Sequence, residues 1–114
     1  MTKRITRAEL QARLAANPAL FLLEALPEKY FHDGHLPGAR HFPHDQARAL
    51  AGTVLPDKDA EIVVYCASAS CQNSHIAART LAQMGYGNVA VYAGGKQDWA
   101  GAGLALERAA AVPA

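Results

Sequence analysis

The segment that most constrains the fold is the run "EIVVYC" at residues 61–66, where β-branched and aromatic residues follow one another without alternation. A strand with one solvated face carries a polar residue at every second position, whereas a strand covered on both faces is apolar throughout. Strands of the second kind occur in parallel sheets that lie between two layers of helices. The run therefore predicts a buried parallel strand at the centre of the fold.

Strand-like and helix-like segments alternate along the rest of the chain and are joined by short connections. Three further strands are predicted, at residues 19–26, 39–42 and 88–92. Helices are predicted after the capping box of Thr6 and Glu9, after Pro27, loosely over residues 44–52, over residues 73–84, and around Trp99. This alternation predicts an α/β fold with a parallel sheet and helices on both faces.

The helix at residues 73–84 has an apolar stripe that indicates which side it buries. Ile76, Thr80 and Met84 recur at helical spacing, with Ala77 and Leu81 beside them. We expect this stripe to form the buried side of the helix.

Length and charge limit the number of domains and the kinds of partner. The 114 residues, 51% of them hydrophobic, predict one domain over residues 1–114, with its core at about 5–108 and a frayed tail at 109–114. The net charge is +1 and no basic run occurs, which argues against nucleic acid or an anionic membrane as partner. The N-terminus contains no apolar segment of signal or membrane-spanning length, so a cytoplasmic location is predicted.

The chain has two cysteines, Cys66 and Cys71. In a reducing compartment such a pair is expected to be reactive, metal-binding or inert rather than a permanent disulfide. Cys66 ends the best-predicted strand, and the residues after it have mostly small side chains: Ala67, Ser68, Ala69, Ser70, Cys71 and Gln72. Ligands of parallel sheets bind at this edge, where the next helix begins.

Backbone amides of this loop are expected to curl around the sulfur of Cys66, and together with the helix N-terminus they favour the thiolate. The thiolate is the form that attacks sulfur or phosphorus, which makes Cys66 a candidate nucleophile. A second interpretation is that Cys66 is a small apolar residue closing a buried strand. Position alone leaves both interpretations open.

Six motifs occur in an order and spacing that resemble the rhodanese-like domain family. They are "GHLPGA" at 34–39, "VVYC" at 63–66, "AA" at 77–78, "GYGNVAVYAGG" at 85–95, "W" at 99 and "AGLALE" at 102–107. The resemblance covers roughly residues 5–108 and implies a rhodanese-like fold with a five-stranded, mostly parallel sheet. It also implies that the turn containing Gly34, His35, Pro37 and Gly38 is structural.

The resemblance further implies a sulfurtransferase that works without a cofactor. Cys66 matches the cysteine that accepts a sulfane sulfur from thiosulfate or a persulfide donor and passes it to cyanide, a thiol or a protein. The substrate is then expected to lie against the loop amides from Ala67 to Asn73 and against Ser74, with Ser68, Ala69, Ser70 and Gln72 among the binding residues.

The sequence departs from the family's usual pattern in the loop. Ser74 stands eight positions after Cys66 instead of six, so the loop is expected to be about two residues longer. No Lys or Arg occurs from Ala67 to Ser74, and the usual Asp-Val-Arg of the neighbouring strand reads Glu24-Ala25-Leu26. A dianion such as thiosulfate would have to be held by amides, hydroxyls and a protonated His75, which predicts weak thiosulfate use.

The longer loop is also similar to that of the phosphatases of this fold, whose cysteine is followed after five residues by an arginine. Position 72 holds Gln72. Without the bidentate donor that phosphoryl transfer needs, the sequence argues against phosphatase activity.

Cys71 has two interpretations. A curled loop would bring its Cα within the roughly 4.4–6.8 Å of the Cys66 Cα that a disulfide requires, which predicts a resolving thiol or a second sulfur relay. Alternatively, Cys71 is a solvent-facing residue at the start of the helix. A metal site is not predicted, because Cys66, Cys71 and His75 provide too few ligands for structural zinc.

Two other functions remain open at this point. One is a non-catalytic rhodanese module that binds a protein partner or receives sulfur from it, and the other is a redox switch that uses Cys66 and Cys71.

Overall fold

The computed structural model describes residues 3–108, so the frayed tail predicted at residues 109–114 lies outside the described part. Within it, the chain forms a sheet of five parallel strands in the order β1-β5-β4-β2-β3. The strands are β1 (Lys3–Ile5), β2 (Phe21–Glu24), β3 (Arg40–His41), β4 (Ile62–Tyr65) and β5 (Val89–Tyr92). The predicted α/β class and the five-stranded parallel sheet are confirmed.

Helices connect consecutive strands, as the alternation predicts. They are α1 (Arg7–Ala16), α2 (Glu28–Asp33), α3 (Ala47–Val54), α4 (Asn73–Gln83) and α5 (Gly95–Gly101), with a 3₁₀ turn at His44–Gln46 before α3. Thr6 and Glu9 form the predicted capping box at the start of α1. Because the side chain of each caps the backbone N–H of the other, the end of β1 passes directly into a helix.

Strand β4 lies at the centre of the sheet, between β5 and β2, and all four of its residues are buried. Ile62 and Val64 belong to the hydrophobic core on the side of α3 and α4. Val63 and Tyr65 belong to a second core on the side of α1 and α5. The unbroken apolar run at residues 61–66 is explained by these two cores, since each face of the strand contacts one of them.

Two details differ from the sequence-based expectations. Strand β1 was not predicted, because two of its three residues are exposed and its pairing with β5 is a contact across the fold rather than a local pattern. In α4 the buried residues include Ala77, Ala78 and Leu81, whereas Ile76 is 40% exposed. Small alanines let the helix pack closely on the sheet, so the buried side is centred on Ala77 and Leu81, with Met84 packed against the core, rather than on Ile76.

The turn around Gly38 joins the C-terminal segment to the sheet. The backbone N–H of His35 donates to the carbonyl of Glu107, and the Glu107 N–H donates in return, each at 2.8 Å. Gly38 has φ +80°, a conformation that favours glycine. The Leu36 N–H donates to the hydroxyl of Tyr65 at 3.0 Å, which ties this turn to the strand that ends at the cysteine.

Candidate active site

Cys66 follows β4 directly and is buried, with 1% of its surface exposed. Its Sγ lies 3.3 Å from the hydroxyl oxygen of Ser74 and 3.4 Å from the carbonyl oxygen of Cys71. Ser74 is the second residue of α4, so the sulfur faces the first turn of that helix. The sulfur therefore occupies the place predicted for it, beyond the carboxyl end of the central strand and at a helix N-terminus.

The thiol form of Cys66 is favoured, contrary to the sequence-based expectation of a thiolate. Burial is the main reason that the pKa of Cys66 is raised, and the neighbouring Cys71 side chain adds to this increase. Hydrogen bonds from the hydroxyl and the backbone N–H of Ser74 oppose it by lowering the pKa. The helix N-terminus does act on the sulfur as expected, but its effect is smaller than the desolvation of a buried charge.

The loop between β4 and α4 spans residues 67–72 and is folded back on itself. The Cys71 N–H donates to the carbonyl of Ser68 at 3.1 Å, and the hydroxyls of Ser68 and Ser70 lie 3.1 Å apart. This turn brings Cys71 back to the sulfur of Cys66. The two serine hydroxyls bind each other, so the contacts they make in this structure are with the loop itself.

The predicted binding residues differ in how accessible they are. Cys71 and Asn73 are partly buried, and Ser74 is almost completely buried beside the sulfur. Ser68 is partly buried, whereas the remaining loop positions, Ala67, Ala69, Ser70 and Gln72, are exposed. The geometry therefore groups Cys71 and Ser74 with Cys66, and leaves the exposed residues as the outer surface of the loop.

The first turn of α5 holds the beginning of the loop. The N–H of Lys96 donates to the Cys66 carbonyl at 3.0 Å, and the N–H of Gln97 donates to the Ala67 carbonyl at 2.9 Å. Gly95 adopts φ +62°, and a Cβ at this position would lie 2.3 Å from the Cys66 carbonyl oxygen. Only glycine lets the two backbones approach this closely.

A buried carboxylate lies on the other side of the sheet. Glu24 is completely buried at the end of β2 and accepts a hydrogen bond of 2.8 Å from the hydroxyl of Tyr65. The Nζ of Lys96 lies 3.0 Å from its second carboxylate oxygen. Burial raises the pKa of Glu24 despite these partners, and it also raises the pKa of Tyr65.

Sequence reasoning missed Lys96. The absence of Lys and Arg from the loop and the loss of the arginine at Leu26 suggested a site without a nearby cation. Lys96 follows β5, whose neighbour in the sheet is β4, and the carboxyl ends of neighbouring parallel strands meet at one edge. Its place after Gly94 and Gly95 was the available signal, but the partner of its side chain depends on the tertiary structure.

The expected cationic role of His75 is not supported. The pKa of His75 is lowered, mainly by partial burial and further by the positive charges of Arg4 and Arg79. The neutral imidazole is therefore favoured at neutral pH. Without a bound anion, His75 therefore adds little positive charge to the loop.

Two clefts occur near the same edge of the sheet. One, of about 490 Å³, is lined by residues that include Arg4, Arg7 and Gly94, and the other, of about 430 Å³, includes His41 and His44. Neither is lined by any of residues 66–74, so the sulfur of Cys66 does not open into either cleft.

Within residues 3–108, no group of three His, Cys, Asp or Glu side chains is placed to hold a metal ion. No helix in the same range has the length and apolar character needed to cross a membrane.

A parallel five-stranded sheet with a cysteine loop between its central strand and the following helix defines the rhodanese class of α/β proteins. Residues 6–102 match the rhodanese-like domain family. The chain belongs to this family.

Known proteins of three kinds are similar to it. The HTH-type transcriptional regulator Rv0324 of Mycobacterium tuberculosis is 32% identical over 108 residues, which cover 95% of this chain and 46% of the regulator, less than half its length. A thiosulfate sulfurtransferase from Pseudomonas aeruginosa is 26% identical with a TM-score of 0.81, over 94% of this chain and 20% of that one. A rhodanese-like domain from Anabaena is 28% identical with a TM-score of 0.81, over 100% and 86% of the two chains.

Proposed function

We propose that this protein is a sulfurtransferase that carries sulfane sulfur as a persulfide on Cys66. The observation that carries the proposal is the position of Sγ, 3.3 Å from the Ser74 hydroxyl at the start of α4 and within a loop that follows the central strand. Membership of the rhodanese-like family and the similarity to a thiosulfate sulfurtransferase support it. A cytoplasmic location, where thiols stay reduced, fits this role.

The reaction has two steps. In the first, the Cys66 thiolate attacks the outer sulfur of thiosulfate, the sulfur–sulfur bond of the donor breaks, and sulfite leaves with the electron pair. In the second, cyanide, a thiol or a protein thiolate attacks the outer sulfur of the Cys66 persulfide, and the Cys66 thiolate is released. A persulfide donor reacts in the same way, with its thiolate as the leaving group.

The chain's own groups act mainly on the charge of the sulfur. The hydroxyl and N–H of Ser74 stabilise the thiolate, and backbone N–H groups of α5 bind the Cys66 and Ala67 carbonyls. The raised pKa means that only a minority of Cys66 is ionised at neutral pH, and residues 67–74 contain no Lys or Arg to attract a dianion. Thiosulfate turnover should therefore be slow, and a donor of lower charge density is the better substrate.

Cys71 is proposed to resolve the persulfide. Its thiolate attacks Sγ of Cys66, the terminal sulfur leaves as hydrosulfide, and a Cys66–Cys71 disulfide forms that an external dithiol reductant then opens. The 3.4 Å approach of the Cys71 carbonyl to Sγ and the effect of its side chain on the pKa of Cys66 support this step.

Intact-protein mass spectrometry tests the proposal in the wild type, Cys66→Ser and Cys71→Ser, each treated with thiosulfate and separately with a persulfide donor. We expect one added sulfur atom that depends on Cys66, and a loss of two hydrogens only when both cysteines are present. If no donor adds sulfur to the folded Cys71→Ser variant and none causes a loss of two hydrogens in the wild type, the protein is instead a non-catalytic module that binds a partner through this face.

A second candidate is a thiol switch that uses the same two cysteines. It is favoured by the similarity to a transcriptional regulator, because such a protein needs a signal that changes its state. Mild oxidation without any sulfur donor should then form the disulfide. If both thiols remain free after this treatment, the switch is excluded.

A further inference from the structure

The Glu24–Lys96 ion pair is unusual because one partner is completely buried. Glu24 has 0% of its side chain exposed, and Lys96 has 16%. A buried carboxylate is stable only when it is paired and hydrogen-bonded, and the Lys96 ammonium and the Tyr65 hydroxyl are its partners in this structure. The ion pair therefore constrains where the Lys96 side chain can lie.

Lys96 is held at three points. Its Nζ lies 3.0 Å from Glu24 and donates to the Tyr30 carbonyl at 2.6 Å, while its backbone N–H donates to the Cys66 carbonyl at 3.0 Å. One residue thus joins the buried carboxylate to the backbone of the cysteine. The side-chain contacts of Lys96 therefore act on the same residue whose backbone N–H holds Cys66.

Cys66 is held on two sides, by the strand residue before it and by the start of α5. Glu24 is the partner of Tyr65 in the sheet and accepts a hydrogen bond from its hydroxyl, and Tyr65 immediately precedes Cys66. On the far side, Gly95 has the positive φ that allows α5 to contact the Cys66 carbonyl. The Glu24–Lys96 ion pair joins these two sets of contacts, because Glu24 binds Tyr65 and Lys96 binds the Cys66 carbonyl.

Lys96 cannot act as a charge on the sulfur in the way a loop arginine would. Tyr65 and Glu24 face the side of α1 and α5, whereas Sγ faces Ser74 on the side of α4. Successive residues of a strand point to opposite faces of the sheet. The effect of Lys96 on the thiol must therefore pass through the backbone.

We propose that Lys96 is a positioning residue: its ion pair with Glu24 fixes the peptide of Cys66 so that Sγ lies against the hydroxyl and N–H of Ser74. The inference deepens the proposed sulfurtransferase function, on which its biological meaning rests. In this chain a partly buried lysine after β5 binds the carbonyl of Cys66, although residues 67–74 contain no Lys or Arg.

The test measures whether the effect of Ser74 on the reactivity of Cys66 depends on Lys96. The described contacts include none between Lys96 and Ser74, so a dependence would have to act through Cys66. All variants carry Cys71→Ser, so that iodoacetamide reports on Cys66 alone. The rate of alkylation is measured against pH and normalised to its plateau at high pH, which removes differences in access to the buried sulfur. Urea denaturation at each pH confirms that the protein is folded.

We expect Lys96→Met to lower the normalised rate at pH 7 about tenfold, as the loss of one hydrogen bond to a charged group would. In the protein that keeps Lys96, Ser74→Ala should lower the normalised rate by the same factor. In the protein that carries Lys96→Met, adding Ser74→Ala should have no further effect. Lys29→Met is the matched control: Lys29 is exposed on α2, and its replacement should leave the effect of Ser74→Ala at full size.

Lys96→Met leaves the buried Glu24 without its cation, which destabilises the fold, so Glu24→Gln/Lys96→Met is the second variant. It buries no unpaired charge, and it should show the same lowered rate and the same insensitivity to Ser74→Ala. If this folded variant keeps the wild-type profile and the full Ser74 effect, the ion pair only stabilises the fold and the proposal is overturned. Alkylation needs no sulfur donor, so a failure of the sulfurtransferase proposal would appear separately, in the mass spectra.

Discussion

The Sγ atom of Cys66 and the Oγ atom of Ser74 lie 3.3 Å apart, across the junction between the end of β4 and the first turn of α4. This contact opposes the burial that raises the pKa of the cysteine. The reactivity of Cys66 therefore depends on a balance between desolvation, which favours the thiol, and a helix N-terminus, which favours the thiolate.

Replacing Ser74 with Ala should shift this balance further toward the thiol. The backbone N–H of residue 74 remains, but the hydroxyl that stabilises the thiolate is lost, so we expect alkylation of Cys66 at pH 7 to slow about tenfold. In both proteins the rate should rise with pH, and the Ser74→Ala curve should lie at higher pH. Ser70→Ala is the control, because the Ser70 hydroxyl contacts Ser68 rather than the sulfur; an equal shift in both variants would contradict the assignment.

Replacing Tyr65 with Phe should destabilise the fold without changing the shape of the ring. The lost hydroxyl donates to the buried Glu24 and accepts from the Leu36 N–H. Two buried polar groups would be left with one partner fewer, which costs about 1–3 kcal/mol. The free energy of unfolding in urea checks this, with Tyr30→Phe on the surface as the control; equal effects of the two changes would show that the Tyr65 hydroxyl is not a structural partner.

Two glycine-to-alanine changes should have opposite effects. Gly95→Ala places a Cβ 2.3 Å from the Cys66 carbonyl at φ +62°, so we expect a loss of at least about 2 kcal/mol of stability. Gly52 lies in α3, where an added Cβ meets nothing within 4 Å, and Gly52→Ala should stabilise the protein by about 0.5–1 kcal/mol. Thermal or urea unfolding of both variants measures these changes. If Gly95→Ala leaves the free energy of unfolding unchanged, α5 does not approach the Cys66 carbonyl as closely as described.

The stability of the protein should depend on pH through Glu24. Because burial raises its pKa, the folded state holds the proton more tightly than the unfolded chain does. The stability that comes from this tighter proton binding is complete below the pKa that Glu24 has in the unfolded chain, and it is lost as the pH rises through the raised pKa of the folded state. The stability of the wild type relative to Glu24→Gln, measured in urea between about pH 4 and 8, should therefore increase as the pH falls.

Glu9→Gln provides a control of opposite sign. Hydrogen bonds with Thr6 lower the pKa of Glu9, so the stability that this carboxylate contributes is present at neutral pH and is lost as the pH falls through that lowered pKa. Trends of the same sign in the two variants would contradict the assignment for Glu24.

Much of the fold could be predicted because its signals are local. The continuous apolar run of β4, the capping box of Thr6 and Glu9, and the alternation of strands and helices all follow from neighbouring residues. Strand β1 was missed for the same reason: three residues with two exposed side chains carry no pattern of their own, and β5 supplies their pairing.

In the candidate site too, local features could be predicted from the sequence, whereas contacts between distant residues could not. The sequence by itself determined that Cys66 ends the central strand, that small residues follow it, and that a helix begins at Asn73, because strand ends and helix starts have local signatures. The tertiary structure decided that burial outweighs the helix N-terminus at the thiol and that Lys96 pairs with Glu24 beneath the loop. Desolvation and ion pairing depend on which groups lie nearby in space, and residues 24 and 96 become neighbours only when the sheet has formed.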